Sequence, residues 1–364
     1  LAGAVASYAA AGAARFWANW IIWTLFAGSV GVGSLFLIAV EYLFGARWSV
    51  PLRRTSERIA GLVLPAAVAA AVALFALPVL YPWAWPEAAV HPILAAKARW
   101  LNVPFFAART AFCFGFWVLS YHIFVGGSLQ QDRSKDPSLT IRARRFAPVF
   151  MALFALTVTV TAFDWVSSLR PEWYSDIFGV YLFAGVFLAG LAATAAAALH
   201  LAGKGRLPGV RVDHLYNLGA LLFAFTVFWS YIGFAQYMLI WYGNLPEEIL
   251  WYKSRVEGPW LPVVLLLALL HFVVPFIALA TRDAKGDARR LLWVAYLILL
   301  AHWLDLYWLV YPELGKGPCF SWPELSFALM FVCALLAWMR RQLRLGEDMP
   351  VGDPFLKEGL DFRL

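Results

Sequence analysis

The sequence predicts an all-α integral membrane protein with about ten transmembrane helices, the first only partly present. Three observations predict it. The 364 residues are 62% hydrophobic and only 14% charged, whereas a soluble domain is about half apolar and about a quarter charged. Apolar stretches of ~20 residues, long enough to cross a bilayer, recur along the whole chain. Strict alternation of apolar and polar residues is missing, so these are helices and not the strands of a membrane barrel.

The first stretch, LAGAVASYAA, is apolar but about half a span long. It reads as the exit end of a helix whose start lies outside this sequence. Nine full spans follow, at 16–44, 59–81, 104–128, 146–169, 175–202, 214–243, 259–280, 288–311 and 323–343. The first full span contains GSVGVGS (28–34). A phosphate loop needs a strand before it, and none is available inside a transmembrane helix. Ala27, Ser29, Gly31 and Gly33 read instead as a surface of small residues that a neighbouring helix approaches closely. The organisation is therefore one transmembrane domain over 1–345 and a C-terminal tail over 346–364.

The net charge of +7 is a topology signal. Loops 45–58, 129–145, 203–213 and 281–290 and the tail from Arg340 hold 21 of the 29 Lys and Arg residues. Basic residues mark the cytoplasmic side, so these loops and the C-terminus are predicted to be cytoplasmic. Nucleic-acid binding would need the charge gathered on one folded face. Here it is spread over every second loop, and no nucleic acid is predicted as a partner.

Cys113, Cys319 and Cys333 form no CxxC, CxxCH or four-cysteine cluster, so no covalent haem or iron–sulfur cluster is expected on this chain. His200 and His214 are 14 residues apart, but GKGRLPG between them must be a loop. Both read as surface residues at the cytoplasmic edge and not as haem ligands.

Ionisable groups inside the membrane cost a few kcal/mol each and are functional candidates by default. In the outer half the depth of each position places Arg109, Asp164, Gln236, Tyr237, His302 and Asp305. His302 and Asp305, three residues apart, share a helix face. Toward the inner side are Glu41, His122 and His271, with Tyr231 or His271 as a mid-membrane bridge. If all face one interior, two polar half-paths meet near the midplane, as in proton relays. The bland reading is a helix-end carboxylate at Asp164 and a structural ion pair from Arg109 to Asp164 or Asp305. FDWVSSLRPEW (163–173) and LDLYWLVYPEL (304–314) form a faint internal echo: Asp near a helix exit, then Pro-Glu. Aromatic outer segments such as YPWAWPE (81–87) and WYGNLPEEILWYK (241–253) suit an interfacial belt and a docking surface for a periplasmic partner.

Four segments together resemble one family. They are RFWANW (15–20), AFDWVSSLRPEWYSDIFGVYLFAG (162–185), FWSYIGFAQYMLIWYGNLPEE (228–248) and MPVGDPFLKEGLDF (349–362). They resemble the F subunits of bacterial alternative complex III, a quinol:electron-acceptor oxidoreductase. Those subunits belong to the polysulfide-reductase membrane-subunit (NrfD-like) family. The resemblance runs from Arg15 to the C-terminus. It implies two four-helix bundles plus peripheral helices. It also implies a sister NrfD-like membrane subunit, a periplasmic iron–sulfur subunit and c-type cytochrome subunits, with haem c and the clusters held by those partners. Membrane lipids and menaquinone or its quinol are the small molecules it implies. The acceptor would be cytochrome c or a copper protein. Asp164, Gln236 and Tyr237 fall in matching segments; Glu41, His122 and His271 rest on depth alone. The expected function is a cofactor-free subunit that scaffolds quinol oxidation and conducts protons through its bundle. Its rivals are a quinol-binding anchor of another NrfD-like oxidoreductase, a purely structural anchor, and a secondary transporter, for which Pro148, Pro262 and Pro275 would be the helix breakers.

Overall fold

A computed structural model describes residues 2–315 and 317–364. Among the described residues it is all-helical, and nine helices are long and apolar enough to cross a membrane. The short apolar helix α1 (Ala2–Ala11) is followed by α2 (Ala13–Phe44), α3 (Val50–Leu80), α4 (Val103–Ser134) and α5 (Ser138–Leu169). Then come α6 (Phe178–Gly203), α7 (Val212–Gly243), α8 (Gly258–Ala278), α9 (Ala288–Leu314) and α10 (Trp322–Gln342). A short helix, Pro246–Val256, bridges α7 and α8.

The helices are longer at the basic end than hydropathy implied. α3 begins at Val50, with Pro51 in its first turn, where a missing N–H costs nothing. α4 runs on to Ser134, and α5 begins at Ser138. Several arginines read as loop residues, among them Arg53, Arg54, Arg58, Arg142 and Arg144, therefore stand on helices. Hydropathy marks where the apolar stretch stops, and a helix can continue beyond it on paired charges.

Two four-helix bundles, α2–α5 and α6–α9, pack side by side through α2 and α6, and α1 and α10 lie together at the edge against α2. Between membrane helices there is no hydrophobic drive, so close backbone packing must supply the contact. Gly33 on α2 faces Gly190 on α6: a Cβ on Gly33 would stand 2.1 Å from the Val186 carbonyl oxygen, and one on Gly190 would stand 2.4 Å from the Gly33 carbonyl carbon. Gly31 meets α3 in the same way, 2.7 Å from the Val63 nitrogen. The small-residue stripe predicted on the first full span is thus a two-sided packing surface.

The tail straps the basic end. Asp353 pairs with Arg53 at 2.5 Å, and Asp348 with Arg58 and Arg206, each at 2.7 Å. Phe355 lies under the guanidinium groups of Arg47 and Arg144. Gly352 and Gly359 leave no room for a Cβ against the backbone of Gln131 and Arg47. His214, expected at the surface, is fully buried here. Its Nδ1 accepts from the Arg211 N–H and its Nε2 meets the Gly359 carbonyl at 2.8 Å. The tail, invisible to hydropathy, covers it. His200 is exposed, as expected.

Candidate functional site

The polar centre of the second bundle is built on α9. His302 and Asp305 lie almost one turn apart on the face turned to α6 and α8, and each is 1–2% exposed. Tyr181 of α6 donates its hydroxyl to Asp305 Oδ1 at 2.5 Å, and Trp229 of α7 donates its indole N–H to Oδ2 at 3.3 Å. No cation pairs with Asp305 among the described residues. Gly185 makes the room: a Cβ there would lie 3.1 Å from His302 Cε1 and 3.7 Å from Asp305 Oδ2.

His271 enters from α8, inside a single π-helical turn, Leu269–Val273. Such turns insert one residue and re-aim side chains, often at functional sites. Its ring lies 4.0 Å from that of Trp229 and 6.3 Å from that of His302, centre to centre. None of the four ring nitrogens of His271 and His302 has a hydrogen-bond partner among the described residues. Buried polar groups are nearly always paired, so two bare imidazoles side by side are exceptional.

A cavity of 430 Å³ opens next to this cluster, between α7, α8 and the short helix Pro246–Val256. Tyr181 and Trp229 belong both to its wall and to the Asp305 hydrogen bonds. Gln236 and Tyr237 line it, as do Trp251 and Trp308. Arg255 lies over the ring of Trp251, one of the cavity residues, and pairs with Glu313 at 2.6 Å. Burial pushes its guanidinium down to about 10, so it stays charged at neutral pH.

The first bundle holds a counterpart. Asp164 is 2% exposed and sits in another π-helical turn, Ala162–Val166. Arg109 grips it with two hydrogen bonds, of 2.7 and 2.9 Å, and the Trp100 indole N–H adds a third at 3.3 Å. The guanidinium is stacked on the rings of Trp100 and Phe105. The internal echo therefore has structural content. Asp164 and Asp305 each lie on the last helix of a bundle, seven residues before a Pro-Glu pair, and each receives an indole N–H. The main donor differs: an arginine for Asp164, a neutral tyrosine for Asp305.

The remaining candidates divide. Glu41 is buried at the basic end and pairs with Arg53 at 3.2 Å, beside an Arg54–Glu57 pair at 2.6 Å. His122 and Tyr231 are corrections. His122 is exposed and faces a cleft with Gln130 and Arg142; its neighbour Tyr121 takes the buried side and donates to Gln342. Tyr231 is 65% exposed on the bundle flank, because Trp229, Ile232 and Gln236 form the buried stripe of α7. Depth along a helix says nothing about direction around it, and successive residues point about 100° apart.

The candidates thus do not share one interior. Arg109 and Asp164 form one site, His271, His302 and Asp305 a second, and Glu41 a third. Tyr181 and Trp229 were missed because neither residue is charged. Both lie in the aromatic segments 162–185 and 228–248, so aromatics one helix away from a membrane aspartate were the available signal. Among the described residues no three His, Cys, Asp or Glu side chains converge as metal ligands would.

No protein-family model matches the chain, and no curated protein matches it.

Proposed function

We infer that the chain is a membrane subunit of a quinol-oxidising, NrfD-like complex, and that its second bundle handles protons while partner subunits carry the redox centres. One observation carries this reading: Asp305 is a buried carboxylate with no cation, set among two histidines whose ring nitrogens are free. A carboxylate gripped by arginine, as Asp164 is, has its oxygens committed to a fixed bidentate pair. One held only by a tyrosine hydroxyl and an indole N–H has no ion-pair partner, so taking up a proton leaves no cation stranded. Histidines beside it add ring nitrogens that no described protein group occupies and that can donate or accept a hydrogen bond in a relay.

In this role Asp305, His302 and His271 form the exchange group. Tyr181 and Trp229 orient the carboxylate. Arg109–Asp164 and the Glu41–Arg53 pair hold the first bundle and the basic end together. The basic end faces the cytoplasm of a bacterial inner membrane by the distribution of Lys and Arg. The scaffold surfaces are the aromatic connections at the opposite end, which suit an iron–sulfur and cytochrome partner.

The test is Asp305→Asn and His302→Gln in the complex purified from its native membrane. Retained assembly with at least a tenfold loss of proton-coupled quinol turnover is expected. Unchanged turnover and an unchanged proton-to-electron ratio in both variants would discard the relay. A chain that purifies alone, without haem-bearing or iron–sulfur subunits, would discard the complex.

A further inference from the structure

A second cavity, of 420 Å³, lies at the end of the first bundle away from the basic loops. It is formed where the connection from α3 to α4 meets the end of α5 and the loop that follows it. We propose that this cavity is a binding site for a small organic carboxylate with a flat apolar body. The site lies in the first bundle and does not rest on the role given to the second.

Four observations carry it. The volume falls within the range of small-molecule sites, about 300–1,000 Å³. The only charged residues in its lining are Lys97 and Arg99, and no carboxylate lines it. Arg99 is exposed and forms no ion pair among the described residues. The Lys97 ammonium donates to the Pro171 carbonyl, which leaves two of its three N–H groups for a ligand. Burial pushes that ammonium below its usual range, and the charge of nearby Glu172 offsets only part of this. A bound anion would offset more.

The uncharged groups agree. Trp173 lines the cavity, is 2% exposed, and has no acceptor for its indole N–H among the described residues. A buried donor left unpaired is costly, and a carboxylate oxygen is an acceptor only. Ser167 adds a hydroxyl from the end of α5. Four of the eleven lining residues are aromatic, so the wall favours a flat apolar body that stacks over a bare inorganic anion. Trp100 and Tyr174, 45% and 55% exposed, flank the way in. Trp100 also donates to Asp164, so a seated ligand touches a residue that holds the Arg109–Asp164 pair.

The probe is 4-fluorobenzoate, followed by fluorine NMR line broadening with the full chain in phosphatidylcholine nanodiscs. Saturable broadening is expected, reversed by unlabelled benzoate and absent with protein-free nanodiscs. Lys97→Gln and Arg99→Gln should each weaken binding about tenfold, the loss of one charged hydrogen bond. Arg99 is exposed, so its variant decides the matter if Lys97→Gln does not fold. Ala96→Trp, which fills the cavity from an exposed position, should abolish binding. Equal broadening of neutral 4-fluorobenzamide would show simple apolar partition and overturn the site. Broadening unchanged in Arg99→Gln and Ala96→Trp overturns it too. Displacement by inorganic phosphate as effective as by benzoate would show bare charge attraction and overturn the organic ligand.

Discussion

The Tyr181 hydroxyl donates to Asp305 Oδ1 at 2.5 Å across the contact of α6 with α9. Its strength as a structural bond is testable apart from function. Asp305→Ala strands both the hydroxyl and the Trp229 indole. Leaving buried donors unpaired costs about 1–3 kcal/mol, so the melting temperature in detergent should fall clearly. Asp305→Asn keeps an acceptor oxygen and should lose less than half as much. His122→Ala, on the exposed face, should stay within about 0.5 kcal/mol of the parent. An equal loss at all three positions would refute this assignment of burial.

The Arg109–Asp164 pair calls for a double-mutant cycle. Removing one partner of a buried ion pair leaves an uncompensated charge, at about 3–5 kcal/mol. Arg109→Leu and Asp164→Leu should each destabilise the chain by that order. The double variant should recover much of the loss, because neither charge is then stranded. Additive losses would show that the two side chains act independently.

Gly33 and Gly190 set the distance between the bundles. Gly190→Val forces a branched side chain against the backbone of Gly33 and Ser34. Overpacking costs about 1–3 kcal/mol, and here the obstacle is backbone, so the upper end is expected. The readout is loss of the folded monomer on gel filtration. Gly127→Ala, with nothing within 4 Å of the added carbon, is the control and should behave as the parent.

The tail should loosen in acid. Burial works to raise the Asp348 carboxyl, but hydrogen bonds and charge from Arg206 and Arg58 outweigh it and hold the group below its usual value. A depressed carboxylate contributes stability above its unfolded pKa of about 3.9, and loses it as pH falls through the lower folded value. The protection factors of residues 346–364, exchange rates divided out by the intrinsic rate at each pH, should therefore be flat from neutrality to about pH 5 and fall below about pH 4. Asp348→Asn should show the looser tail already at neutral pH. An acid response unchanged by this substitution would locate the sensitive group elsewhere.

Much of the fold was legible in the sequence. The apolar stretches gave the spans, and Gly31 and Gly33 marked a packing face that the structure uses on both sides. The site was legible only in part. His302 and Asp305 were placed together correctly, because spacing along one helix fixes their relation. His122 and Tyr231 were placed inward and point outward, since hydropathy carries depth without direction. The partners Tyr181 and Trp229 come from other helices, and no local pattern joins them to Asp305. The His214 and Asp353 contacts depend on a tail that packs back across 145 and 300 residues of chain.

The sequence by itself determined that this chain is a multi-pass helical membrane protein, because the cost of exposing backbone and charge to lipid acts residue by residue and needs no knowledge of neighbours. It also marked Asp164 and Asp305 as costly and worth explaining. Only the tertiary structure decided that they differ. Arg109, the seventh residue of α4, would mean nothing without the fold; packed against Asp164, it holds that carboxylate in a structural ion pair. Packing Tyr181 against Asp305 leaves the other carboxylate free of any cation, beside two open imidazoles and an aromatic cavity. Which donor meets which carboxylate is set by how five helices pack, and that is a long-range property no local stretch of sequence encodes.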